Sequence, residues 1–161
     1  MKNLDHKIYA LASIRGQCQE WREAGKKIVF TNGCFDLLHY GHLHYLHQAR
    51  DLGDILLLGL NSNASVKRLK GNHRPVKDEK SRIYLLAALS CIDALVVFEE
   101  DTPLKLIEQV QPDVLVKGGD WAVEEIVGSE LVLARGGEVK CLDFIEGYST
   151  TLLEQKIKKQ K

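Results

Sequence analysis

Two histidines, His39 and His42, stand three residues apart with Gly41 between them, after a short apolar run and before a helical pattern. Imidazole N–H groups can donate hydrogen bonds to phosphate oxygens, and a helix N-terminus favours an anion at the same place. Gly41 has no Cβ and would let a polyphosphate approach the backbone closely. Donors placed in this way stabilise the charge that develops during displacement at phosphorus. The spacing therefore predicts a phosphate-binding catalytic site.

Two other interpretations of these histidines stay open. His39 and His42 could be surface or capping residues of the helix. The four histidines His39, His42, His44 and His47 could instead bind a transition metal. The metal interpretation is weaker because no cysteine or carboxylate cluster accompanies them, so no metal ligand is predicted. His44 and His47 are predicted to be structural.

Three consecutive hydroxyl residues, Ser149, Thr150 and Thr151, follow Gly147 and precede the last helical pattern of the chain. Capping a helix N-terminus is the commonest role of such residues. They also follow a predicted strand, and the end of that strand would lie on the same edge of the sheet as the two histidines. The segment therefore predicts either a helix cap or a second group of phosphate donors.

A basic loop at residues 67–77 carries Lys70 and Arg74. A solvated charged surface is the ordinary role of such a run. On the same edge as a phosphate site, however, the two side chains could neutralise a polyphosphate or an anionic substrate.

A glycine pair, Gly118 and Gly119, follows another predicted strand and precedes Asp120 and Trp121. The glycines would allow a ligand to come close to the backbone. Asp120 could accept a hydrogen bond from a ribose hydroxyl, and Trp121 could stack on a base or a sugar. A plain glycine turn is the alternative.

The elements that must position these residues alternate along the chain. Apolar runs predict strands at 28–31, 54–60, 94–98, 113–117 and 138–142, and helical spacing fills the segments between them, including 124–134. Such alternation predicts a Rossmann-like three-layer αβα sandwich with a five-stranded parallel sheet. Ligands of these sheets bind at the carboxyl ends of the strands, which is where the candidate residues fall. Residues 1–25 predict a helical extension that Gly25 ends, and residues 156–161 form a basic tail.

The bulk composition narrows the possible partners. The chain has 161 residues, with 22 basic and 22 acidic side chains, so no net field would recruit nucleic acid or an anionic membrane. No leader and no apolar run of about 18 residues is seen. The four cysteines are widely spaced, as in proteins with reduced thiols. We therefore predict a cytoplasmic protein without a nucleic-acid or membrane partner.

Several segments together resemble the H-x-G-H nucleotidyltransferase superfamily, in its cytidylyltransferase-like branch. They read T-N-G-C-F-D-L-L-H-Y-G-H, G-D-I-L-L-L-G-L-N-S, R-L-K-G-N-H-R-P-V, E-D-T-P, V-K-G-G-D and E-G-Y-S-T-T. Within that branch the chain is similar to the adenylyltransferases that form ADP-heptose from D-glycero-D-manno-heptose 1-phosphate and ATP, for surface-glycan and lipopolysaccharide precursors. The resemblance covers almost everything from about residue 26 to residue 157. Residues 26–161 are thus expected to form the nucleotidyltransferase domain. The motifs G-x-S-x-G, G-x-G-x-x-G and the P-loop lysine motif are absent.

The resemblance implies roles for individual residues. His39 and His42 would bind the ATP phosphates and stabilise the pentacoordinate transition state. Nucleotide contacts are implied for Thr31, Asn32, Gly33, Cys34, Phe35, Gly41, Arg74, Gly118, Asp120, Glu146, Gly147, Tyr148, Ser149, Thr150 and Thr151. Substrate contacts are implied for Asp36, Asn61, Lys70 and Trp121. Mg²⁺ would accompany ATP, the partners would be ATP and a sugar 1-phosphate, and the family implies a homodimer.

Other activities stay open. Glycerol-3-phosphate cytidylyltransferases resemble the chain at Trp121, but commonly have arginine at the position of Phe144 and lysine at that of Leu152. A guanylyltransferase that forms GDP-heptose is a second alternative. A catalytically silent nucleotide-binding subunit that needs a kinase partner is a third, although His39, Gly41 and His42 are intact.

Overall fold

Short apolar runs form the strands of one parallel sheet in the computed structural model, which describes residues 4–159. The strands are β1 Ile8–Tyr9, β2 Ile28–Gly33, β3 Ile55–Asn61, β4 Ala94–Phe98, β5 Val114–Gly118 and β6 Glu138–Leu142. The helices are α1 Leu11–Glu23, α2 Tyr40–Arg50, α3 Asn63–Lys70, α4 Glu79–Ala87, α5 Leu104–Val110, α6 Ser129–Ala134 and α7 Thr150–Lys159. Short 3₁₀ turns lie at Asp5–Lys7 and Val123–Glu125. The ends of the predicted extension and basic tail, 1–3 and 160–161, lie outside the described residues.

The strand order in the sheet is β1-β4-β3-β2-β5-β6, and all the pairs are parallel. From β2 the chain proceeds outward through β3 to β4, then returns to place β5 on the other side of β2. The order therefore reverses between β2 and β5. In open parallel sheets the crevice at such a switch point, outside the carboxyl ends of the strands, is where ligands bind.

Each strand contributes side chains to both faces of the sheet, because successive residues of a strand point in opposite directions. Ile28 and Phe30 of β2 join one apolar cluster, while Val29 joins the other. α1 and α5 cover the first face with Ile14 and Leu106, and α2 and α4 cover the second. The predicted three-layer αβα fold is thereby confirmed.

The prediction of five strands is wrong, since the described chain has six. The additional strand is β1, which pairs with β4 through Ile8 opposite Leu95 and Tyr9 opposite Val96. It lies in the N-terminal segment, which helical spacing had assigned entirely to a helix. A strand of two residues is too short to show an alternating pattern, and its pairing with β4 decides its conformation.

The prediction of one helix over 124–134 is also wrong. The segment is divided into the 3₁₀ turn and α6 by Gly128, whose φ of +88° lies in the left-handed region. A Cβ on Gly128 would come within 2.7 Å of Cδ1 of Ile107. Close packing on α5 and a left-handed backbone thus interrupt the helix. In contrast, α3 and α4 begin with capped N-termini, since Ser62 and Asp78 accept hydrogen bonds from backbone N–H groups of the first helical turn.

Candidate active site

The two histidines of the H-x-G-H motif stack on each other at the start of α2. Their ring centroids are 3.8 Å apart and their planes differ by 30°. His39 is the N-cap residue of α2, but its side chain makes no capping hydrogen bond. The Nδ1 atoms of both rings are buried, and neither has a hydrogen-bond partner within residues 4–159. Because buried polar atoms nearly always have partners, this pair is suited to bind a ligand.

Burial keeps both histidines neutral in the free protein. Removal from water lowers the pKa of His39. The pKa of His42 falls to about 4, through burial first and then through repulsion from His39 and Lys70. An anion bound between these groups would relieve that repulsion and favour their protonated, doubly donating forms.

Two helix N-termini meet at this point. α2 begins at Tyr40 with an uncapped first turn, and α7 begins at Thr150 after Ser149. The Ser149 hydroxyl accepts a hydrogen bond of 3.1 Å from the Leu152 N–H, so Ser149 caps α7 as predicted. Gly41 lets the two helices approach, because a Cβ there would lie 3.1 Å from Tyr148 Cβ and from His39 Nδ1. The two positive helix ends face the same space, an arrangement that favours a phosphate.

Three adjoining cavities form a cleft along the carboxyl edge of the sheet. The histidine cavity, about 310 Å³, is lined by His39, Gly41, His42, Tyr45, Phe144, Tyr148, Ser149 and Thr150. The central cavity, about 190 Å³, shares His42, Tyr45, Phe144 and Thr150 with it and adds Asn32, Gly33, Cys34, Phe35, Asp36, Lys70, Lys117 and Gly118. The tryptophan cavity, about 380 Å³, shares Asn32, Gly33, Cys34, Lys70 and Lys117 with the central one and adds Asn61, Asp101, Thr102, Pro103, Trp121 and Glu125. The cleft thus crosses the switch point between β2 and β5.

Asp36 and Arg74, both predicted to contact ligands, form an ion pair with each other, and their predicted ligand contacts stay predictions. The Arg74 guanidinium donates a hydrogen bond of 2.6 Å to Asp36 Oδ2, and both side chains are almost fully buried. Arg74 also contacts the carboxylate of Glu154 on α7. The backbone N–H groups of Val76 and Lys77 donate to Asp36 at 2.9 Å. Burial alone would raise the pKa of Asp36, but these donors hold it below its ordinary value. The ion pair joins the loop after β2 to the basic loop.

Other predicted residues divide between the cleft and its surroundings. Thr31 is fully buried and lies 2.5 Å from the Tyr45 hydroxyl, outside the three cavities. Asn61 reaches the tryptophan cavity, although its amide also donates to Ser65. Phe35 has a φ of +43°, in the left-handed region that costs energy for a non-glycine residue. Four residues line none of the three cavities and are exposed: Asp120, Glu146, Gly147 and Thr151. Their predicted nucleotide contacts stay predictions.

Lys117 and Tyr45 are among the residues of the cleft that were not assigned to the site from the sequence. Lys117 ends the apolar strand β5 and lines two of the cavities. The Phe144 ring covers Gly118, where a Cβ would approach Phe144 Cε1 to 2.7 Å. Tyr45 lies under the central cavity, with its hydroxyl 3.3 Å from the Val116 carbonyl oxygen. A charged residue at the end of a buried strand, next to two glycines, was the available signal for Lys117.

A larger cavity of about 550 Å³ opens at the opposite edge of the sheet, beside Arg22, Lys26, Lys27 and Arg135. It faces the amino ends of the strands, away from the histidines, so size alone does not identify the site. In the described residues, no group of three or more His, Cys, Asp or Glu side chains is placed to hold a metal ion. Likewise, none of the helices within 4–159 has the length and apolarity needed to span a membrane.

These features define a Rossmann-like α/β protein with an anion-binding cleft at the switch point of its sheet. The chain belongs to the cytidylyltransferase-like family, whose model matches residues 30–155. The predicted membership of this branch is confirmed by that match.

Similar proteins are known by sequence and by structure. The chain is 55% identical to the bifunctional protein HldE of Citrifermentans bemidjiense over 157 residues, which are 98% of this chain and 31% of that protein. It is 59% identical to the bifunctional protein HldE of Nitrobacter hamburgensis over 133 residues, 83% of this chain and 27% of that protein. The lipopolysaccharide core biosynthesis protein from Thermoplasma volcanium is 31% identical, with a TM-score of 0.60, and the match covers 78% of this chain and 100% of that one. The chain therefore spans about a third of the length of the curated relatives it matches.

Proposed function

We propose that this chain transfers AMP from ATP to D-glycero-D-manno-heptose 1-phosphate, which gives ADP-heptose and pyrophosphate. The observation that carries the proposal is the convergence of two helix N-termini, beside the switch point of the sheet, on stacked histidines whose buried Nδ1 atoms have no hydrogen-bond partner among residues 4–159. The site offers many donors to phosphate oxygens, as an enzyme that acts at phosphorus requires.

The choice of a heptose phosphate is supported by similarity rather than by the geometry of the cleft. The sequence resembles adenylyltransferases that form ADP-heptose. A relative with 31% identity is a lipopolysaccharide core biosynthesis protein, and a closer one is the bifunctional protein HldE. Because this chain corresponds to only part of that protein, the proposal concerns the nucleotidyl transfer alone.

In the proposed reaction, a phosphate oxygen of the sugar attacks the α-phosphorus of ATP. A new P–O bond forms as the bond from the α-phosphorus to the bridging oxygen breaks, and pyrophosphate leaves with that oxygen. No covalent enzyme intermediate is required, so positioning and charge stabilisation supply the catalysis. His39, His42 and the N–H groups that begin α2 and α7 would bind the phosphates of ATP. Lys70 would neutralise part of their charge from the edge of the central cavity.

Mg²⁺ is proposed to enter with ATP, bound through phosphate oxygens and water, as is usual for this ion. The residues present fit that arrangement better than a protein-built metal site. The one carboxylate of the central cavity, Asp36, is already bound by Arg74 and two backbone N–H groups. When bound, the ion would neutralise charge on the triphosphate.

An assay of pyrophosphate release tests the proposal. ATP, CTP and GTP would each be combined with the α- and β-anomers of heptose 1-phosphate, and with glycerol 3-phosphate. We expect release with ATP and one heptose anomer. Release with CTP and glycerol 3-phosphate, or with GTP and heptose phosphate, would replace the proposal by the corresponding alternative. No release with any sugar phosphate would refute it.

The predicted homodimer and cytoplasmic location belong to the same proposal. Light scattering on the purified protein tests the dimer, since a mass near 36 kDa would be expected from the chain mass of 18.1 kDa (twice 18.1). A mass near that of one chain would contradict it. The same preparation, free of any kinase, would also test the alternative of a silent subunit, because turnover by the pure chain excludes that role.

A further inference from the structure

Lys117 differs from the other lysines that the structure describes near the sheet. Lys27 and Lys140 both pair with Glu138, and Lys105 pairs with Glu100. Lys117 is half-buried at the end of β5, and among residues 4–159 it makes no ion pair with a carboxylate. Its Nζ lies over the ring of Trp121, 5.9 Å from the ring centre. Burial lowers its pKa, an effect that Cys34 partly offsets. A half-buried cation without a carboxylate is costly unless an anion binds beside it.

The surroundings of Lys117 favour an anion from outside the chain. It lines both the central and the tryptophan cavities, as Lys70 does. The carboxylate of the central cavity, Asp36, is turned to Arg74 and to the N–H groups of Val76 and Lys77. In the tryptophan cavity, Asp101 is paired with Arg68 at 2.7 Å. Glu125 lines the tryptophan cavity but not the central one, so Lys70 and Lys117 are the two charged side chains of the described residues that line both cavities.

We propose that Lys117 binds the phosphate group of the acceptor where the central and tryptophan cavities meet, with the sugar in the tryptophan cavity. This inference rests on the proposed function and deepens it. The histidine cavity, with its two helix ends, would take the ATP phosphates, which leaves the tryptophan cavity for the acceptor. Its volume of about 380 Å³ lies within the usual range of small-molecule sites. Trp121 could pack on a sugar ring there, while Thr102 and Glu125 could meet its hydroxyls.

The position of Lys117 suits the demands of the reaction. An anionic phosphate must approach a second anionic phosphate, so a cation beside them lowers the repulsion from the moment the acceptor binds. Lys117 is held by β5, an interior strand next to the edge strand β6, and is paired on the β6 side with Cys141. Lys70, in contrast, ends α3 and is exposed. A donor within a strand fixes the acceptor phosphate more accurately than one at the edge of a loop, where Lys70 lies before Gly71.

The test compares the variants Lys117→Met and Lys117→Arg with the wild type. Loss of a charge-assisted hydrogen bond is expected to raise the KM for heptose 1-phosphate by about 10- to 100-fold in Lys117→Met. The KM for ATP should change by less than about threefold. Lys117→Arg, which keeps the charge, should recover most of the acceptor affinity. The matched control is Lys140→Met on the neighbouring strand, which should leave both KM values unchanged.

The possible outcomes separate the inference from the proposed function. If the wild type turns over but Lys117→Met keeps its acceptor KM, or loses ATP affinity instead, the inference is wrong and the function stands. If the wild type turns over no sugar phosphate, the function fails. Calorimetric titration with inorganic phosphate then tests the anion site directly. Weaker binding by Lys117→Met than by both the wild type and Lys140→Met supports the site, and equal binding by all three overturns it. Circular dichroism of each variant excludes unfolding as the cause.

Discussion

Two imidazole rings stacked 3.8 Å apart repel each other when both are protonated, unless an anion lies beside them. In the free protein, burial keeps His39 and His42 neutral, with their Nδ1 atoms lacking partners among the described residues. The same arrangement makes them strong donors once a triphosphate arrives. At the scale of residues, the site is thus arranged to bind an anion. Without an anion, the buried histidines lower the stability of the folded protein.

Replacing either histidine by alanine should remove a donor to the transition state. We expect His39→Ala and His42→Ala each to lower kcat by at least about 10²-fold, the usual effect of losing one such donor. Steady-state pyrophosphate release would measure the loss, and thermal unfolding followed by circular dichroism would show that the fold is kept. Wild-type activity in both variants would remove the central role assigned to the motif.

The low pKa of His42 predicts a dependence of stability on pH. The pKa is about 4 in the folded protein and about 6.5 in an unfolded chain, so between these values only the unfolded state binds the proton. The stability that neutral His42 maintains is therefore full above pH 6.5 and is lost as the pH falls toward 4. Urea unfolding at pH 7 and pH 4.5 should show a smaller acid loss in His42→Asn than in the wild type. Equal losses would mean that His42 titrates normally.

The sequence placed His39 and His42 together at the start of a helix, as the structure does, because their spacing is local; their catalytic role stays a prediction. It did not predict that Asp36 and Arg74 bind each other, since they are 38 residues apart and each alone is consistent with a ligand contact. Lys117 was missed for a related reason. Nothing in the run V-L-V-K-G-G shows that the lysine faces a cleft without a carboxylate beside it; that depends on which loops the sheet brings together.

At the scale of elements, Asp36 connects the loop after β2 to the basic loop. Asp36→Ala would remove one of the two carboxylates that the buried Arg74 contacts, leaving Glu154, and would leave the N–H groups of Val76 and Lys77 without their acceptor. We expect a loss of about 3–5 kcal/mol in the free energy of unfolding, as for other broken buried ion pairs. Urea unfolding at pH 7 would measure it.

The control for this prediction breaks an exposed ion pair instead. Asp101→Ala removes the partner of Arg68, and both side chains of that pair are about half exposed. The expected loss is at most about 1 kcal/mol. If Asp36→Ala were no more destabilising than Asp101→Ala, the ion pair would not be what holds the basic loop.

Gly41 is expected to matter because α2 and the segment before α7 meet there. A Cβ at this position would lie 3.1 Å from both His39 Nδ1 and Tyr148 Cβ, so one of them must shift by a few tenths of an ångström. Displacement of a catalytic donor is costly, and Gly41→Ala should lower kcat by about tenfold or more. The unfolding free energy should change by no more than about 1 kcal/mol, because alanine favours the helix.

Gly16 in α1 offers the matched control for Gly41→Ala, because it is also a glycine within a helix. Apart from its chain neighbours and the backbone of its own helix, no heavy atom lies within 4 Å of a Cβ built at Gly16. Gly16→Ala should therefore stabilise the protein by about 0.5–1 kcal/mol without changing kcat. Equal kcat values for Gly41→Ala and the wild type would show that His39 is not displaced, and that the glycine serves only the packing of Tyr148.

The elements themselves were largely predictable. The strand predictions at 94–98 and 138–142 match β4 and β6, and the other three strands differ by one or two residues at their ends. Continuous apolar runs mark strands that are buried on both faces. The strand and helix predictions that were wrong depended on contacts between residues far apart in the sequence. β1 forms only because β4 offers an edge, and the predicted helix over 124–134 is interrupted where Gly128 meets Ile107 on α5.

At the scale of the whole molecule, the N-terminal segment is part of the packing that supports the sheet. β1 extends the sheet beyond β4, and Lys7 donates hydrogen bonds of 2.7 Å and 3.1 Å to the carbonyl oxygens of Ile92 and Leu89. α1 contacts β2, β4 and α5. The boundary after residue 25, predicted from helical spacing and from the resemblance, stays a prediction. Whether the core needs α1 can be tested with a single substitution.

Ile14 of α1 is completely buried in the apolar cluster that also contains Ile28 and Phe30 of β2. If α1 belongs to the main core, Ile14→Ala should lower the free energy of unfolding by about 2–5 kcal/mol through lost burial and the cavity left behind. Leu85→Ala on α4, where the side chain is 44% exposed, should cost no more than about 0.5 kcal/mol. Urea unfolding of both variants at pH 7 would give the comparison. A loss below about 1 kcal/mol for Ile14→Ala, with a single transition unchanged in slope, would mean that residues 4–25 are an appendage whose packing the sheet does not need.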